Sequence, residues 1–261
     1  MDGVEGRCAL VTGAGSPEGI GFATARILAE QGARVIITST TKRILDRLAE
    51  LPGEPGRHAA LVADLTDPLA ADRLVAAAAI QGRIDILVNN AGMTQIGRRE
   101  KASAFHRIDD LEWARAIELN LNIAFRVTRA VLPQMIRRRF GRIVHIASVT
   151  GPLVSNPRSA GYSAGKAAMT GMTRALAIEV AGRGITVNAV APGWIATASS
   201  TKPEIVAGKN TPVGRAGTAE EVGHVAAFLA SAAASYVTGQ MIVVDGGNSI
   251  QEYKGPPEGY Y

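Results

Sequence analysis

Three shortages in the 261-residue sequence narrow its class before any motif is considered. It has one cysteine, Cys8, so no disulfide can form within the chain, which fits a reducing compartment. No apolar run approaches the roughly 18 residues of a membrane span, and the first residues lack the apolar core of a signal peptide. We therefore expect a soluble, cytoplasmic protein with no membrane partner.

Aromatic residues are also scarce, at 5%, although Lys and Arg (28) outnumber Asp and Glu (23). Nucleic-acid-binding surfaces combine concentrated basic residues with aromatic rings on which bases stack. The basic residues here are mostly scattered, and the run at 137–142 ends a predicted helix, whose negative end favours cations. We expect no nucleic-acid partner, and the composition leaves an anionic substrate or carrier open.

Apolar runs alternate with amphipathic stretches along the whole chain. The runs typical of buried strands are Cys8–Thr12, Arg34–Thr38, Ala59–Ala63, Ile84–Asn89, Arg142–Ala147, Thr186–Val190 and Met241–Val244. The helical stretches between them are Gly21–Gln31, Lys42–Leu51, Pro68–Gln81, Asp110–Arg138, Tyr162–Gly182 and Ala219–Ala230. This alternation predicts an α/β fold: a single doubly wound domain over 1–261, with its core at about 5–250, a tail at 251–261, and helices on both faces of a parallel sheet.

A glycine-rich loop follows the first predicted strand and opens the first helix. Glycines there let the backbone turn tightly and approach a pyrophosphate, whose charge suits a helix N-terminus. Such a loop alone is weak evidence, and its position after the first strand strengthens it. The predicted dinucleotide contacts in this loop are Gly13, Gly15, Ser16, Gly19 and Ile20.

The end of the second strand indicates which dinucleotide is bound. An acidic residue there holds the ribose of NAD, and this chain has none at that position. Hydroxyl groups and two cations stand there instead and suit the 2′-phosphate of NADP(H): Thr38, Ser39, Thr40, Lys42 and Arg43. Glu18 in the glycine loop is the contrary feature. We therefore favour NADP(H) over NAD(H).

Two further strand ends carry candidate cofactor contacts. These are Asp64 and Leu65 after the third strand, and Asn90, Ala91 and Gly92 after the fourth. Ligands of doubly wound sheets bind at this edge. Each also has a structural alternative, since Asp64 is a common type of helix cap and the asparagines suit a turn.

A serine, a tyrosine and a lysine form the candidate chemical centre. Ser148 follows the fifth strand, and Tyr162 and Lys166 are four residues apart, so they share one face of a helix. A phenol, whose pKa is about 10, becomes a useful acid near neutral pH only when a cation stabilises its anion. Tyr162 would then exchange a proton with a carbonyl oxygen that Ser148 holds. The alternative is a surface Tyr/Lys pair on a helix.

Two other segments carry candidates. Asn120 lies inside a predicted helix, where it either bends the helix and serves a water site near Lys166 or is an exposed polar residue. After the sixth strand, Trp194 either lines the substrate pocket or packs as an ordinary aromatic residue. The four histidines have no spacing typical of metal ligands, so we expect no metal.

Taken in order, these motifs resemble those of the short-chain dehydrogenase/reductase family over roughly residues 5–250, and are most similar to its 3-oxoacyl-[acyl-carrier-protein] reductases. The resemblance implies a Rossmann-like domain with a seven-stranded parallel sheet, a homotetramer or homodimer, and a catalytic tetrad of Asn120, Ser148, Tyr162 and Lys166. It also implies that Tyr162 and Lys166 contact the cofactor, together with Pro192, Gly193, Ile195 and Thr197.

The chain departs from the family pattern in several places. Pro17 and Glu18 lengthen the glycine loop, and Ile178 stands where carrier-protein reductases tend to have a docking Arg. The close Tyr/Lys spacing is unlike that of enoyl reductases. We expect an NADP(H)-dependent oxidoreductase that interconverts a ketone and a secondary alcohol of small-molecule size, with a 3-oxoacyl thioester as one candidate. The alternatives are an NAD(H)-dependent dehydrogenase of small ketones, sugars or polyols, and a non-catalytic dinucleotide-binding protein.

Overall fold

The computed structural model describes residues 3–92 and 103–255. Its strands are β1 Cys8–Thr12, β2 Arg34–Ser39, β3 Ala59–Val62, β4 Ile86–Asn89, β5 Gly141–Ile146, β6 Ile185–Pro192, β7 Ile195–Ala196, β8 Gly217–Thr218 and β9 Met241–Val244. Its α-helices are α1 Ile20–Glu30, α2 Arg43–Ala49, α3 Ala70–Ile80, α4 Asp110–Ile117, α5 Ile123–Arg138, α6 Ala160–Val180, α7 Lys202–Lys209 and α8 Ala219–Ala230. A π-helical turn, Glu118–Asn122, joins α4 to α5.

Seven parallel strands of the described chain form one sheet in the order β3-β2-β1-β4-β5-β6-β9. The strand order reverses direction between β1 and β4, which creates a crevice at their carboxyl ends where such sheets bind ligands. This confirms the predicted doubly wound α/β fold. Strands β7 and β8 pair separately, beyond the end of β6.

Helices cover both faces of the sheet, because strands buried on two sides need apolar layers above and below. Helices α1 and α8 pack together on one face, where Gly223 of α8 lies against Thr24 and Ile27 of α1. Helices α3 and α5 pack on the other face, and α6 packs beside α5 against β6. The two layers hold the strand ends in fixed register, and those ends carry the candidate site.

The structure differs from the predicted elements in several respects. The predicted helix Asp110–Arg138 is interrupted by the π turn, and neither helix α7 nor the short strands β7 and β8 were predicted. In the basic run, Arg138 does end α5, but Arg142 is buried on β5 and donates to the carbonyl oxygens of Gly141, Gly184 and Ser231.

Some sequence features fall outside the described residues. They include residues 98–102 of a second basic stretch of the sequence, Arg98 to Arg107, and the proline- and tyrosine-containing end of the tail, 256–261. Within the ranges 3–92 and 103–255, no helix is both long enough and apolar enough to cross a membrane.

Candidate active site

One cavity of about 1800 Å³ lies along the carboxyl ends of the main sheet. Ligand pockets for one drug-sized molecule usually occupy roughly 300–1,000 Å³, so this cavity has room for a dinucleotide and a second molecule. The predicted cofactor contacts that line it are Gly13, Gly15, Ser16, Gly19, Ile20, Thr38, Ser39, Thr40, Arg43, Asp64, Leu65, Asn90, Ala91, Gly92, Tyr162, Lys166, Pro192, Gly193, Ile195 and Thr197. Ser148 and Trp194 line it as well, whereas Lys42 and Asn120 do not.

The glycine loop is fastened to the end of β4. Gly13 has a φ of 70°, and a Cβ there would lie 2.8 Å from the Cα of Ala91, so only glycine fits. The side-chain amide of Asn90 donates to the carbonyl oxygens of Thr12 and Gly13, at 3.1 and 2.9 Å. Asn90 therefore ties together the two strands that border the crevice.

The first turn of α1 is suited to an anion. Its cap residue, Gly19, makes no side-chain capping hydrogen bond, and the turn holds no acidic residue. The first N–H groups of an α-helix have no partner within the helix and carry its positive dipole end. A pyrophosphate bound at Gly15, Ser16 and Gly19 would satisfy them.

The predicted 2′-phosphate contacts separate into two groups. A Cβ on Gly15 would lie 2.8 Å from the Cβ of Ser39 and 3.8 Å from Nη2 of Arg43, so the glycine loop, β2 and α2 meet here. Lys42 is exposed and lies outside the cavity lining, as does Glu18, the residue that argued against a phosphate. Arg43 is thus the cation that the fold places beside the hydroxyls of β2.

Asp64 lies in the cavity lining and holds a turn, but it does not cap helix α3, which begins at Ala70. Its Oδ1 accepts hydrogen bonds from the backbone N–H and the hydroxyl of Thr66, at 3.0 and 2.7 Å, which holds the turn after β3. The residue also lines the cavity. A turn of this kind fixes the carboxylate at the ligand edge.

The candidate chemical groups converge beyond the end of β5. Lys166 of α6 is buried, and its Nζ donates to the carbonyl oxygen of Ile146 at 2.8 Å. The same Nζ lies 5.8 Å from the centroid of the Tyr162 ring. The Oγ of Ser148 accepts from the backbone N–H of Thr150 at 3.0 Å. Burial lowers the pKa of Lys166 to about 8, so the side chain is mostly charged at pH 7 and loses its proton just above neutral pH.

Asn120 lies just beneath the cavity, in the π turn. It is buried, which excludes the exposed alternative, and its Nδ2 donates to the carbonyl oxygen of Ala116 at 3.0 Å. Its Oδ1 is buried and accepts no hydrogen bond from the residues that the structure describes. Since Gly165 of α6 contacts Asn120, the π turn lies directly beside the helical turn that carries Lys166. Turns of this type occur often at functional sites.

A buried polar cluster that the motifs did not reveal lies under the lysine. The side-chain amide of Asn89 is 2.8 Å from the Oγ1 of Thr128 and 3.1 Å from Nδ1 of His145. Burial, and then the charge of Lys166, lower the pKa of His145 to about 4. His145 is therefore neutral near pH 7, which leaves Lys166 as the cation at this point. A histidine in an otherwise apolar strand was the signal for this cluster.

Helix α7 completes the substrate end of the cavity. It begins with a capping box in which Thr201 and Glu204 bond each other's backbone N–H groups. The cavity residues at this end that the sequence analysis did not name include Trp113, Asn156, Arg158 and Lys202. The Thr-x-x-Glu pattern was a usable signal for α7, whereas nothing in the sequence marked Arg158.

Comparisons with known proteins agree with this geometry. Residues 13–249 match the family described as Enoyl-(Acyl carrier protein) reductase. The chain belongs to the short-chain dehydrogenase/reductase family. It is 44% identical over 250 residues to the 3-oxoacyl-[acyl-carrier-protein] reductase FabG of Thermotoga maritima, covering 94% of this chain and 98% of that one. It is 40% identical over 265 residues to the oxidoreductase UcpA of Escherichia coli K12, covering 97% and 98%.

The solved structures agree as well. One titled as a short chain dehydrogenase/reductase family protein superposes with a TM-score of 0.85 at 32% identity, covering 96% of this chain and all of that chain. The protein is thus an oxidoreductase of the short-chain dehydrogenase/reductase type, and its relatives imply a nicotinamide dinucleotide cofactor.

Proposed function

We propose that the protein is an NADP(H)-dependent oxidoreductase that interconverts a ketone and a secondary alcohol, with Tyr162 as the proton donor and acceptor. The observation that carries this proposal is the position of Lys166. Its ammonium is fixed by Ile146 and lies beside the Tyr162 ring, in the same cavity as Ser148. A bound nicotinamide would supply or remove the hydride at the carbonyl carbon.

The residues of this chain carry out the proton chemistry. Ser148 would donate a hydrogen bond to the carbonyl oxygen and orient it toward Tyr162. Tyr162 would give its hydroxyl proton to that oxygen during reduction and take it back during oxidation. The Lys166 ammonium stabilises the phenolate that remains, since an adjacent cation favours the charged form. Asn120 supports the turn that carries Lys166.

The cofactor assignment rests on the end of β2. Arg43 and the hydroxyls of Ser39 and Thr40 line the cavity there, and a charged guanidinium is well suited to a phosphate. The other predicted contacts, from Gly13 to Thr197, would hold the rest of the dinucleotide. The alternative is an NAD(H)-dependent dehydrogenase of small ketones, sugars or polyols.

Two observations bear on the substrate class. The relatives named as 3-oxoacyl-[acyl-carrier-protein] reductases favour a 3-oxoacyl thioester. Against a carrier-bound substrate, Ile178 is 84% exposed on α6 and offers no charge to an acidic carrier. We further propose that the chain is one catalytic domain, acts in the cytoplasm and assembles as a homotetramer or homodimer.

The test is the variant Tyr162→Phe, assayed by loss of NADPH absorbance with a panel of ketones. We expect NADPH binding to persist and turnover to fall by at least about a hundredfold, because the proton donor is lost while the cavity remains. Tyr236→Phe, at a fully exposed tyrosine, is the matched control. Equal turnover in Tyr162→Phe and wild type would remove Tyr162 from this role. NADPH binding without turnover of any ketone in wild type would favour a non-catalytic dinucleotide-binding protein.

A further inference from the structure

Two cations at the substrate end of the cavity have no partner among the residues that the structure describes. Arg158 and Lys202 both line the cavity that holds Tyr162 and Trp194, and both are exposed. Neither makes a hydrogen bond or an ion pair with any residue in the ranges 3–92 and 103–255. Charged side chains that face a cavity without a protein partner are available to a ligand.

The acidic residues at this end are already used by the protein. The carboxylate of Glu112 accepts hydrogen bonds from the N–H and the hydroxyl of Ser103. Asp109 caps α4, and Glu204 accepts from Thr201 at the start of α7. These carboxylates hold structure and leave the charges of Arg158 and Lys202 uncompensated.

The backbone conformation of Arg158 is unusual for a residue other than glycine. Its φ is 64°, in the left-handed region that non-glycine residues rarely adopt. Arg139, the other described non-glycine residue with such a φ, ends helix α5, where this conformation is common. Arg158 ends no helix but follows Pro157 in a turn before α6, where most chains place glycine or asparagine, and left-handed residues of other types occur often at ligand-binding sites.

Side chains on either side hold this turn in place. The hydroxyl of Ser159 donates to the carbonyl oxygen of Asn156 at 2.6 Å and lies 3.1 Å from the hydroxyl of Ser163. The hydroxyl of Ser155 lies 2.9 Å from that of Ser163. Arg158 is thus fixed to the first turn of the helix that carries Tyr162.

We propose that Arg158 binds a carboxylate on the substrate, a few bonds from the reacting carbonyl, with Lys202 as a second cation. This rests on the proposed function and narrows it to oxo acids and the corresponding hydroxy acids. A guanidinium binds a carboxylate through two parallel hydrogen bonds. Arg158 precedes Tyr162 by four residues, so their Cα atoms are at most about 14 Å apart. The phosphate of a pantetheine arm lies many more bonds from its thioester carbonyl, which favours a carboxylate.

The experiment compares ketones that differ only in charge. Acetoacetate and levulinate are each assayed beside their methyl esters, with NADPH, in wild type and in Arg158→Ala. Acetoacetyl-coenzyme A and the phosphate-free acetoacetyl-N-acetylcysteamine distinguish a phosphate from a carboxylate as the anion. Arg174→Ala, at an exposed arginine on α6 outside the cavity, is the matched control.

We expect wild type to prefer at least one carboxylate over its ester in kcat/KM by about tenfold, and Arg158→Ala to lose most of that preference. Lys202→Ala should lose less of it, and Arg174→Ala none. Equal kcat/KM for acid and ester in wild type would overturn the proposal, as would an unchanged ratio in Arg158→Ala. A loss confined to the coenzyme A thioester would assign Arg158 to a phosphate instead.

A second readout does not depend on turnover or on the alanine variant. Both tryptophans of the chain, Trp113 and Trp194, line the cavity, so ligand entry should alter their fluorescence. With NADP⁺ bound, levulinate should bind about tenfold more tightly than methyl levulinate, and Arg158→Gly, which suits the left-handed backbone, should abolish the difference. Equal affinities in wild type would refute carboxylate recognition. Ester reduction that depends on Tyr162 would meanwhile leave the proposed function intact.

Discussion

Gly165 of α6 and Asn120 of the π turn contact each other where the two segments cross, and a Cβ added to Gly165 would lie 2.8 Å from the Cβ of Asn120. Both backbones are held by their helices, so neither can yield cheaply. The contact sets the distance between Asn120 and the helical turn that carries Lys166. It is therefore a direct way to disturb the site without touching a reacting group.

We expect Gly165→Ala to lower the free energy of unfolding by about 2 kcal/mol and to reduce turnover, since overpacking displaces the π turn from α6. Gly171→Ala is the matched control on the same helix, because nothing lies within 4 Å of its added methyl group. That control should gain up to about 1 kcal/mol from the better helix propensity of alanine. Urea unfolding and steady-state assays of both variants make the comparison. A stable, fully active Gly165→Ala would contradict the role of this contact.

Carbonyl reduction should decline at alkaline pH. Burial lowers the pKa of Lys166 to about 8, so the ammonium that we propose to stabilise the Tyr162 phenolate is lost as the pH rises past that value. The profile of kcat/KM for the ketone against pH, at saturating NADPH, should fall with an apparent pKa near 8. In Lys166→Arg, whose guanidinium stays charged, the residual activity should lack that decline. An identical decline in this variant would assign the titration to another group.

Arg43, and not Lys42, should set the preference for NADPH over NADH. Both side chains are exposed, but Arg43 lines the cavity beside Gly15, whereas Lys42 lies outside the lining. Arg43→Ala should reduce the NADPH/NADH ratio of kcat/KM by at least about tenfold, the usual scale for a hydrogen bond to a charged group. Lys42→Ala should change it less than about twofold, because its ammonium lies outside the cavity, where solvent screens it from a bound phosphate. Equal effects of the two variants would count against this assignment.

The protein should lose stability in acid through His145. Its pKa is about 4 in the folded state and about 6.5 in the unfolded chain. Between those pH values the unfolded chain binds one more proton than the folded protein, so the free energy of unfolding decreases as the pH is lowered. The loss from pH 7 to pH 5 amounts to about 2 kcal/mol. Burial also lowers the pKa of His58. His58 therefore adds to the acid loss of stability, and it does so equally in wild type and in a variant at position 145.

His145→Asn isolates this contribution. Urea unfolding at pH 7 and pH 5 should show a smaller acid loss in the variant than in wild type. His224→Asn, a change at an exposed histidine, controls for the removal of one imidazole. An acid loss in His145→Asn as large as that in wild type would show that His145 does not control it.

Much of the fold could be predicted from sequence because its signals are local. Strands β1 and β9 and helix α8 have the predicted bounds, since each is an apolar or amphipathic run with polar residues at its ends. Helix α7 was missed because Pro203 and Gly208 resemble loop residues, although its capping box was visible. The break at Glu118–Asn122 has no proline or glycine to mark it, and its one signal was Asn120, where a bend of the helix was one of the two alternatives.

The candidate site was predictable where motifs name it and not where packing decides it. Ser148, Tyr162 and Lys166 follow from chemistry and spacing, and they do line one cavity. The separation of Arg43 from Lys42 depends on which side chain the start of α2 directs toward Gly15. The position of Arg158 depends on a left-handed backbone conformation, which cannot be predicted from the sequence at a residue other than glycine.

The π turn between α4 and α5 also accommodates one extra residue. A turn with i→i+5 hydrogen bonds holds one residue more than an α-helical turn, so the chain gains a residue there while α4 and α5 keep their relative orientation. Deleting a single residue from Glu118–Asn122 would restore an unbroken α-helix and leave both flanking helices packed on their neighbours. Asn120 would then lose the wider turn that places it against Gly165, so the length of this segment encodes the position of the asparagine.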